Sequence, residues 1–473
     1  MQRAGAARPV GGRATAEGGL DRLFRLRENG TSVRTEVVAG ATTFMVMAYI
    51  IAVNPAILAA AGLDTRAVAT STCLVAGVMT LAMGLVTNRA FAMAPGLGLN
   101  AIVAFSLVGT LGLTPAEAMG VVVTEGLLIT VLVLVGVRKW VMDAVPEALA
   151  RAISVGIGLF ILFIGLRNAG LILFLPGQTG TVDGLLALAP LNTWPIAVAL
   201  LGLVVTLVLM ARGVKAAILV GIVVATVVAL VVPGGVAALP AEPFAGPDFS
   251  LIGQIGFGYW AKLGVLTALL SVVSLMLSDF FDTMGTLIGV GAEAGYLDER
   301  GELPGAQRAL LVDGLGAAAG GFVSASSATT FIESAAGIAT GGRTGLVSVV
   351  TGILFLLSLP FVNLVTAIPA AATAPALIVV GALMVGVLSE RRGGGDGSSI
   401  DFRDIGVGVP VVLTMLVMPF TFSITNGIGA GFVAYALIAV ARGRGRGLHP
   451  GVAAVAALFL LYFARHVLFG VTF

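Results

Sequence analysis

From Glu36 onward the chain is a succession of apolar runs, each of roughly 20 residues and so long enough to cross a bilayer as a helix, divided by short polar breaks. The pattern predicts spans at 36-60, 66-87, 92-110, 115-137, 145-168, 192-211 and 214-233. After a longer, cation-poor stretch from Pro233 to Trp260, a second set is predicted at 262-291, 308-324, 327-341, 344-367, 371-389, 404-420 and 425-441. The fold class implied is an all-α polytopic membrane protein of about 14 transmembrane segments.

Arginine and lysine sort the breaks into two kinds. Arg89, then Arg138 with Lys139, Arg212 with Lys215, Arg300 and Arg308, Arg343, Arg391 with Arg392, and lastly Arg442, Arg444 and Arg446 fall in alternate breaks, while the others carry almost none. Cytoplasmic loops hold the excess of basic residues, so the N-terminus and the break after residue 441 are expected inside. With seven spans in each half, the second half enters the membrane in the opposite sense. Two inverted repeats of seven segments result, a common plan for secondary transporters. The expected organisation is a cytoplasmic tail over 1-35, a first repeat over 36-233, an extracellular connector over 234-261, a second repeat over 262-441 and a basic loop with an apolar segment over 442-473. Residues 449-470 either span or lie along the interface, and the inside-positive pattern favours the interface. No apolar stretch precedes residue 36, so the first span is expected to act as the insertion signal.

Composition agrees. With 58% hydrophobic and 11% charged residues and a mean hydropathy of +1.07, a chain of 473 residues is too apolar for a soluble domain. The 65 glycines suit helices that pack closely and helices that break. A single cysteine, Cys73, excludes a disulfide framework, and the only histidines, His449 and His466, leave no metal-ligand cluster. No cofactor, metal or nucleic-acid partner is expected.

The third span of each half is unusual. One opens with Met93-Ala94-Pro95-Gly96-Leu97-Gly98-Leu99-Asn100, the other with the Ser/Thr-rich run Ser326-Ser327-Ala328-Thr329-Thr330. Both are short, and both start with residues that favour extended or irregular backbone over helix. Such backbone survives at membrane depth only where protein or a wet cavity satisfies it. Paired interrupted segments in the two halves point to a binding site at the midplane, with half-helix N-termini aimed at it. The Gly-x-Gly has no Lys-Ser/Thr after it and no strand-helix unit around it, which excludes a nucleotide P-loop.

Acids supply the chemistry. Glu333 stands among hydroxyls, alanines and glycines in the second interrupted span, and Asp282 in the run Ser278-Asp279-Phe280-Phe281-Asp282-Thr283 just before it. A carboxylate at bilayer depth costs several kcal/mol unless paired or facing water, so both mark a substrate or proton path. Asp279 is three residues from Asp282, on roughly the same helical face, and is the second proton-coupling candidate after these two. The structural reading of Glu333 is a tie to a serine or a backbone amide between helices. Asn100 is either a helix cap or an amide that bonds the ligand. Thr42 and Thr43 either line the cavity or join helices, and Asn54-Pro55 is expected to end or kink the first span.

Several of these motifs together resemble a known family. The run from Thr35 to Ile50, the stretch Ala94 to Ala101, Phe281-Asp282-Thr283-Met284-Gly285-Thr286-Leu287 and the run Thr329 to Gly345 are similar to the AzgA-like adenine/guanine/hypoxanthine permeases, nucleobase-cation symporters related to the uracil and xanthine permeases. The resemblance covers residues 34 to about 441. It implies fourteen segments in two inverted repeats, divided into a core domain (spans one to four and eight to eleven) and a gate domain (five to seven and twelve to fourteen). It implies that Asp282 and Glu333 face the base, with Asn100 and the backbone at Thr330, Phe331 and Ile332 beside it and Thr43 in span one. It also implies a proton-coupled purine permease of the inner membrane, and a homodimer through the gate domain. The uracil and xanthine relatives carry a Gln-His pair in span one where this chain has Thr42 and Thr43, which argues for adenine, guanine or hypoxanthine.

Two other classes fit less well. An anion exchanger or channel of the same fold should offer a positive residue or bare helix ends rather than two facing acids. An intramembrane aspartyl protease needs two aspartates on facing helices and a Gly-x-Gly-Asp, where this chain has Gly96-Leu97-Gly98-Leu99. An enzyme is therefore not expected.

Overall fold

A computed structural model describes residues 19-136, 145-174, 186-299, 302-389 and 400-469, without the side chains of 465-469. The tail over 1-18, Arg138, Lys139, Arg300, Arg391, Arg392, the glycine-rich linker over 393-397 and the side chains of Arg465 and His466 lie outside the described residues.

The described chain is predominantly helical. A short α1 (Gly19–Phe24) leads into α2 (Val33–Met47), α3 (Ile50–Leu58) and α4 (Thr65–Thr87). Ser32 accepts from the Thr35 amide and Asp64 from the Ala67 amide, so side-chain caps fix where α2 and α4 begin. A short strand, β1 (Met93–Pro95), runs into α5 (Leu97–Ala101), which continues as π-helical turns to Thr110. A Thr114/Glu117 capping box and Pro115 in the first turn start α6 (Pro115–Leu134). Then come α7 (Glu147–Asn168), an antiparallel pair of β2 (Ile172–Phe174) and β3 (Leu186–Leu188), α8 (Trp194–Ala211) and α9 (Ala217–Val231).

The second half of the chain is also mostly helical. It holds α10 (Tyr259–Glu293), interrupted at Gly264 (φ +72°), then α11 (Ala306–Phe322), β4 (Ala328–Thr330) and α12 (Ser334–Ile338). After these, α13 (Gly345–Leu357) turns by 63° into a 3-10 segment, Leu359–Ala367. The chain continues through α14 (Ala370–Val385), α15 (Ile405–Thr421), α16 (Ile424–Ala441) and α17 (Pro450–Phe469). Among the described residues, eight helical stretches are long and apolar enough to cross a membrane, or nine with the bent pair counted as one; α5 with its continuation, α9, α15 and residues 450-464 are shorter. The chain is a multi-pass membrane protein.

The Asn54-Pro55 pair does not end the first span. The helix runs past it through Leu58, and the irregular turn lies earlier, at Ala48 and Tyr49. Asn54 is fully buried and ties three segments together, donating to the Thr72 hydroxyl at 2.8 Å and to the Ala325 carbonyl at 3.0 Å.

The two interrupted spans meet. Strands β1 and β4 pair antiparallel, with Met93 opposite Thr330, Ala94 opposite Thr329 and Pro95 opposite Ala328. The ladder extends at both ends, the Gly96 amide donating to the Ser327 carbonyl and the Phe331 amide to the Ala92 carbonyl, each at 2.9 Å. Side chains serve what the two strands cannot. The Thr80 hydroxyl accepts from the Met93 amide and donates to its carbonyl, and Ser334 Oγ accepts from the Ala92 amide. Extended backbone is tolerated here because protein groups take every one of these polar atoms.

Candidate functional site

The acids fall into two tiers around the strand pair. Asp282 on α10 and Glu333, the residue that caps α12, are only partly buried. Asp279, one turn before Asp282, is fully buried. The Tyr49 hydroxyl, at the irregular turn between α2 and α3, donates to Glu333 Oε1 at 2.5 Å. Tyr49 is 1% exposed, so packing holds this donor in place. Ile332, beside Glu333, is exposed, while Phe331 is buried and commits its amide to the strand pair.

Behind the strands lies the sealed tier. Asp279 Oδ2 accepts from the Ser327 hydroxyl at 2.6 Å. Asp313 on α11 accepts from the Thr330 amide and hydroxyl at Oδ1, both at 3.1 Å, and from the Thr283 hydroxyl at Oδ2 at 2.8 Å. Since the Thr283 proton goes to Asp313, the 2.5 Å contact between Thr283 and Thr329 hydroxyls has Thr329 as donor. One carboxylate thus fixes three donors around β4. Glu125 on α6 completes the tier at 0% exposure. A side chain on Gly126 would strike the backbone of Gly314 and Ala318, so α6 and α11 pack backbone to backbone next to Glu125 and Asp313.

The remaining predicted residues divide. Asn100 is fully buried in the first turns after β1, and neither atom of its amide has a partner among the described residues. Gly96, not Asn100, caps α5, so the cap reading is overturned. Thr330 is buried with both donors bound to Asp313. Thr43 is buried against Gly337, where a Cβ would collide with its hydroxyl, and so packs α2 on α12; Thr42 donates to the Val38 carbonyl. Thr42 thus serves its own helix, while the buried Thr43 hydroxyl has no hydrogen-bond partner among the described residues.

Four residues that the sequence reading did not single out belong to this region: Tyr49, Glu125, Asp313 and Glu36. The rule applied to Glu333, an acid inside an apolar run, picks out Glu125 in Val121-Val122-Val123-Thr124-Glu125 and Asp313 in Leu310-Leu311-Val312-Asp313 equally well. Glu36 accepts from the Arg343 amide at 2.8 Å, the Thr344 amide at 3.1 Å and the Thr344 hydroxyl at 2.6 Å, tying the start of the first span to the end of the second interrupted one. Tyr296, in the loop after α10, donates to the Arg343 carbonyl and accepts from the Ala90 amide. Burial pushes its phenol up to about 12, so it remains a donor at any physiological pH.

A family profile described as Permease family, of xanthine/uracil type, matches residues 34-395. The permease-named protein MJ0326 of Methanocaldococcus jannaschii is 43% identical over 371 residues, 77% of this chain and 82% of its own. The adenine permease AdeQ of Escherichia coli is 41% identical over 379 residues, covering 79% of this chain and 82% of its own. The guanine/hypoxanthine permease PbuG of Bacillus subtilis is 37% identical over 383 residues, 78% and 84% of the two chains. Among solved structures, the transmembrane domain of a cyanobacterial bicarbonate transporter, BicA, superposes with a TM-score of 0.60 over 84% of this chain and 96% of its own, at 17% identity, which speaks to the fold alone.

Proposed function

The chain belongs to the permease family, in its AzgA-like purine branch, and we propose that it takes up adenine, guanine or hypoxanthine across the cell's inner membrane together with a proton. The observation that carries this reading is the pair of partly exposed acids, Asp282 and Glu333, at the antiparallel pair of β1 and β4, together with the amide of Asn100, which has no partner among the described residues. An acid at membrane depth that protein does not seal must face a wet cavity. A neutral purine offers N–H donors on one edge, and carboxylates accept such donors with about twice the strength of neutral bonds. Asn100 can both donate and accept, which suits the mixed edges of a purine.

The proposed arrangement has fourteen segments in two inverted repeats, 36-233 and 262-441. The core comprises spans one to four and eight to eleven; the gate comprises spans five to seven and twelve to fourteen. The N-terminus is cytoplasmic and the 234-261 connector extracellular. Base and proton enter from outside, Asp282 or Glu333 takes the proton, and the core moves against the gate to release both inside. Phe331, Ile332 and Thr330 frame the base through the strand-end backbone, and Thr43 contributes to the binding site from span one. Asp279 is held by Ser327 and supports the site from behind. A homodimer through the gate domain completes the proposal.

An anion substrate would share the fold but not the chemistry, because two acids at the site repel an anion. The test is uptake of labelled hypoxanthine into cells lacking their own purine permeases, competed with unlabelled adenine, guanine, xanthine and uracil. The purine reading expects competition by adenine or guanine and none by uracil; competition by uracil or xanthine alone would move the substrate to the other branch.

A further inference from the structure

The fourteen proposed segments end with α16, and α17 (Pro450–Phe469) has no place among them. Arg442, Arg444 and Arg446 stand before it and Arg465 and His466 near its end, a charge pattern that by itself favours a helix lying along the interface. The surface of the helix argues the other way. An interfacial helix keeps a polar face, rich in Lys and Arg, toward water. On α17 the face turned into the protein carries Val452, Ala456, Phe459 and Tyr462, and the face turned away carries Ala453, Ala457, Leu460 and Leu461. The outward face is as apolar as the inward one, which suits protein on one side and lipid chains on the other.

Packing fixes how deep α17 reaches. A Cβ on Gly429 of α16 would collide with the rings of Phe459 and Phe463, which stack on each other with centroids 6.3 Å apart. Gly429 lies about 18 Å along the helix axis from Ala441, where α16 ends, at about 1.5 Å per residue. Phe459 and Phe463 lie about 14 and 20 Å from Pro450, where α17 starts, by the same rise. Equal distances on the two sides of the connecting loop describe an antiparallel hairpin. A helix lying flat across the Ala441 end would stop about 18 Å short of Gly429. The inward face of α17 joins the main apolar core, and the helix packs on α10 as well as on α16.

We propose that α17 is a further membrane-spanning segment, outside the fourteen, which docks on α16 at Gly429 and carries the chain to the face of the membrane opposite the Arg442 to Arg446 loop. Its 20 residues of helix measure about 30 Å, the thickness of the hydrocarbon core. Arg465 and His466 then come at the far end, where spanning helices tolerate such residues because long basic side chains extend to the interface. Gly429 is the seat, since a small residue lets two helices approach closely in a bilayer that offers them no hydrophobic drive to associate. That the far face is the extracellular one rests on the cytoplasmic N-terminus proposed above; the crossing itself does not.

The experiment is labelling of two full-length variants by a membrane-impermeant maleimide, in intact and in permeabilised cells. One variant is Arg444→Cys, the other carries a cysteine appended after Phe473; the native Cys73 is buried and stays silent. The expected result is labelling of the appended cysteine in intact cells and of Arg444→Cys only after permeabilisation. The reverse pattern would still support the crossing and would instead contradict the cytoplasmic N-terminus. Labelling of both from the same side would overturn the proposal. The docking is read from thermal melts of the purified protein: Gly429→Val should melt clearly lower than wild type, and Ala457→Val, on the outward face, close to it. Equal melting of the two variants would overturn the seat at Gly429.

Discussion

The Tyr49 hydroxyl donates to Oε1 of Glu333 at 2.5 Å, joining the irregular turn of the first span to the tip of the second interrupted span, 284 residues away. The donor comes from the first half of the chain and the acceptor from the second, so the orientation of the candidate substrate acid depends on how the two halves dock. A hydrogen bond to a charged group contributes about 1.5–3 kcal/mol. Removing it with Tyr49→Phe, which keeps the ring and its packing, should weaken purine uptake by about tenfold or more, the factor that 1.4 kcal/mol represents. Initial uptake rates across a range of substrate concentrations, at matched membrane expression, check this; unchanged kinetics would make the tyrosine a packing residue.

Asn100 gives a prediction in which stability and function part company. Its buried amide has no partner among the described residues, so its hydrogen bonds are left for a ligand to make. Asn100→Ala should leave the melting temperature unchanged or raised while uptake falls. A variant that loses both together would show that the amide serves the fold.

Asp313 should behave in the opposite way. It satisfies the Thr330 amide and two hydroxyls at the strand pair, and each buried donor left unserved costs about 1–3 kcal/mol. Asp313→Ala is expected to lower the melting temperature of the purified protein sharply, whereas Asp313→Asn, which keeps an acceptor, should lower it less. Thermal melts in detergent of the three proteins decide it.

Much of the architecture is legible in the sequence because it rests on local signals. Apolar runs, caps such as Ser32, Asp64 and Thr114, and the Pro95-Gly96 and Ser/Thr breaks mark the helices and the two interruptions without any tertiary information. What does not show is which partner each polar side chain finds. Asn54 beside a proline reads as a helix end, yet it is a buried tie to Thr72 and Ala325, contacts that depend on a second span and a distant loop. Thr330 looks like a ligand donor in a hydroxyl-rich run, but Asp313, seventeen residues earlier, has both of its donors. Tyr49 leaves no signal at all, since a tyrosine within an apolar span is ordinary packing until its distant acid partner is known.

The most direct measurement is uptake of labelled hypoxanthine, guanine and adenine into cells lacking their own purine permeases, with and without a protonophore, for wild type, Glu333→Gln and Asp282→Asn at matched membrane expression. Proton-coupled transport through the two acids predicts uptake by wild type that collapses with the protonophore and is lost in both variants. Uptake that persists in both variants would remove Asp282 and Glu333 from the mechanism, and no purine uptake by wild type would contradict the substrate.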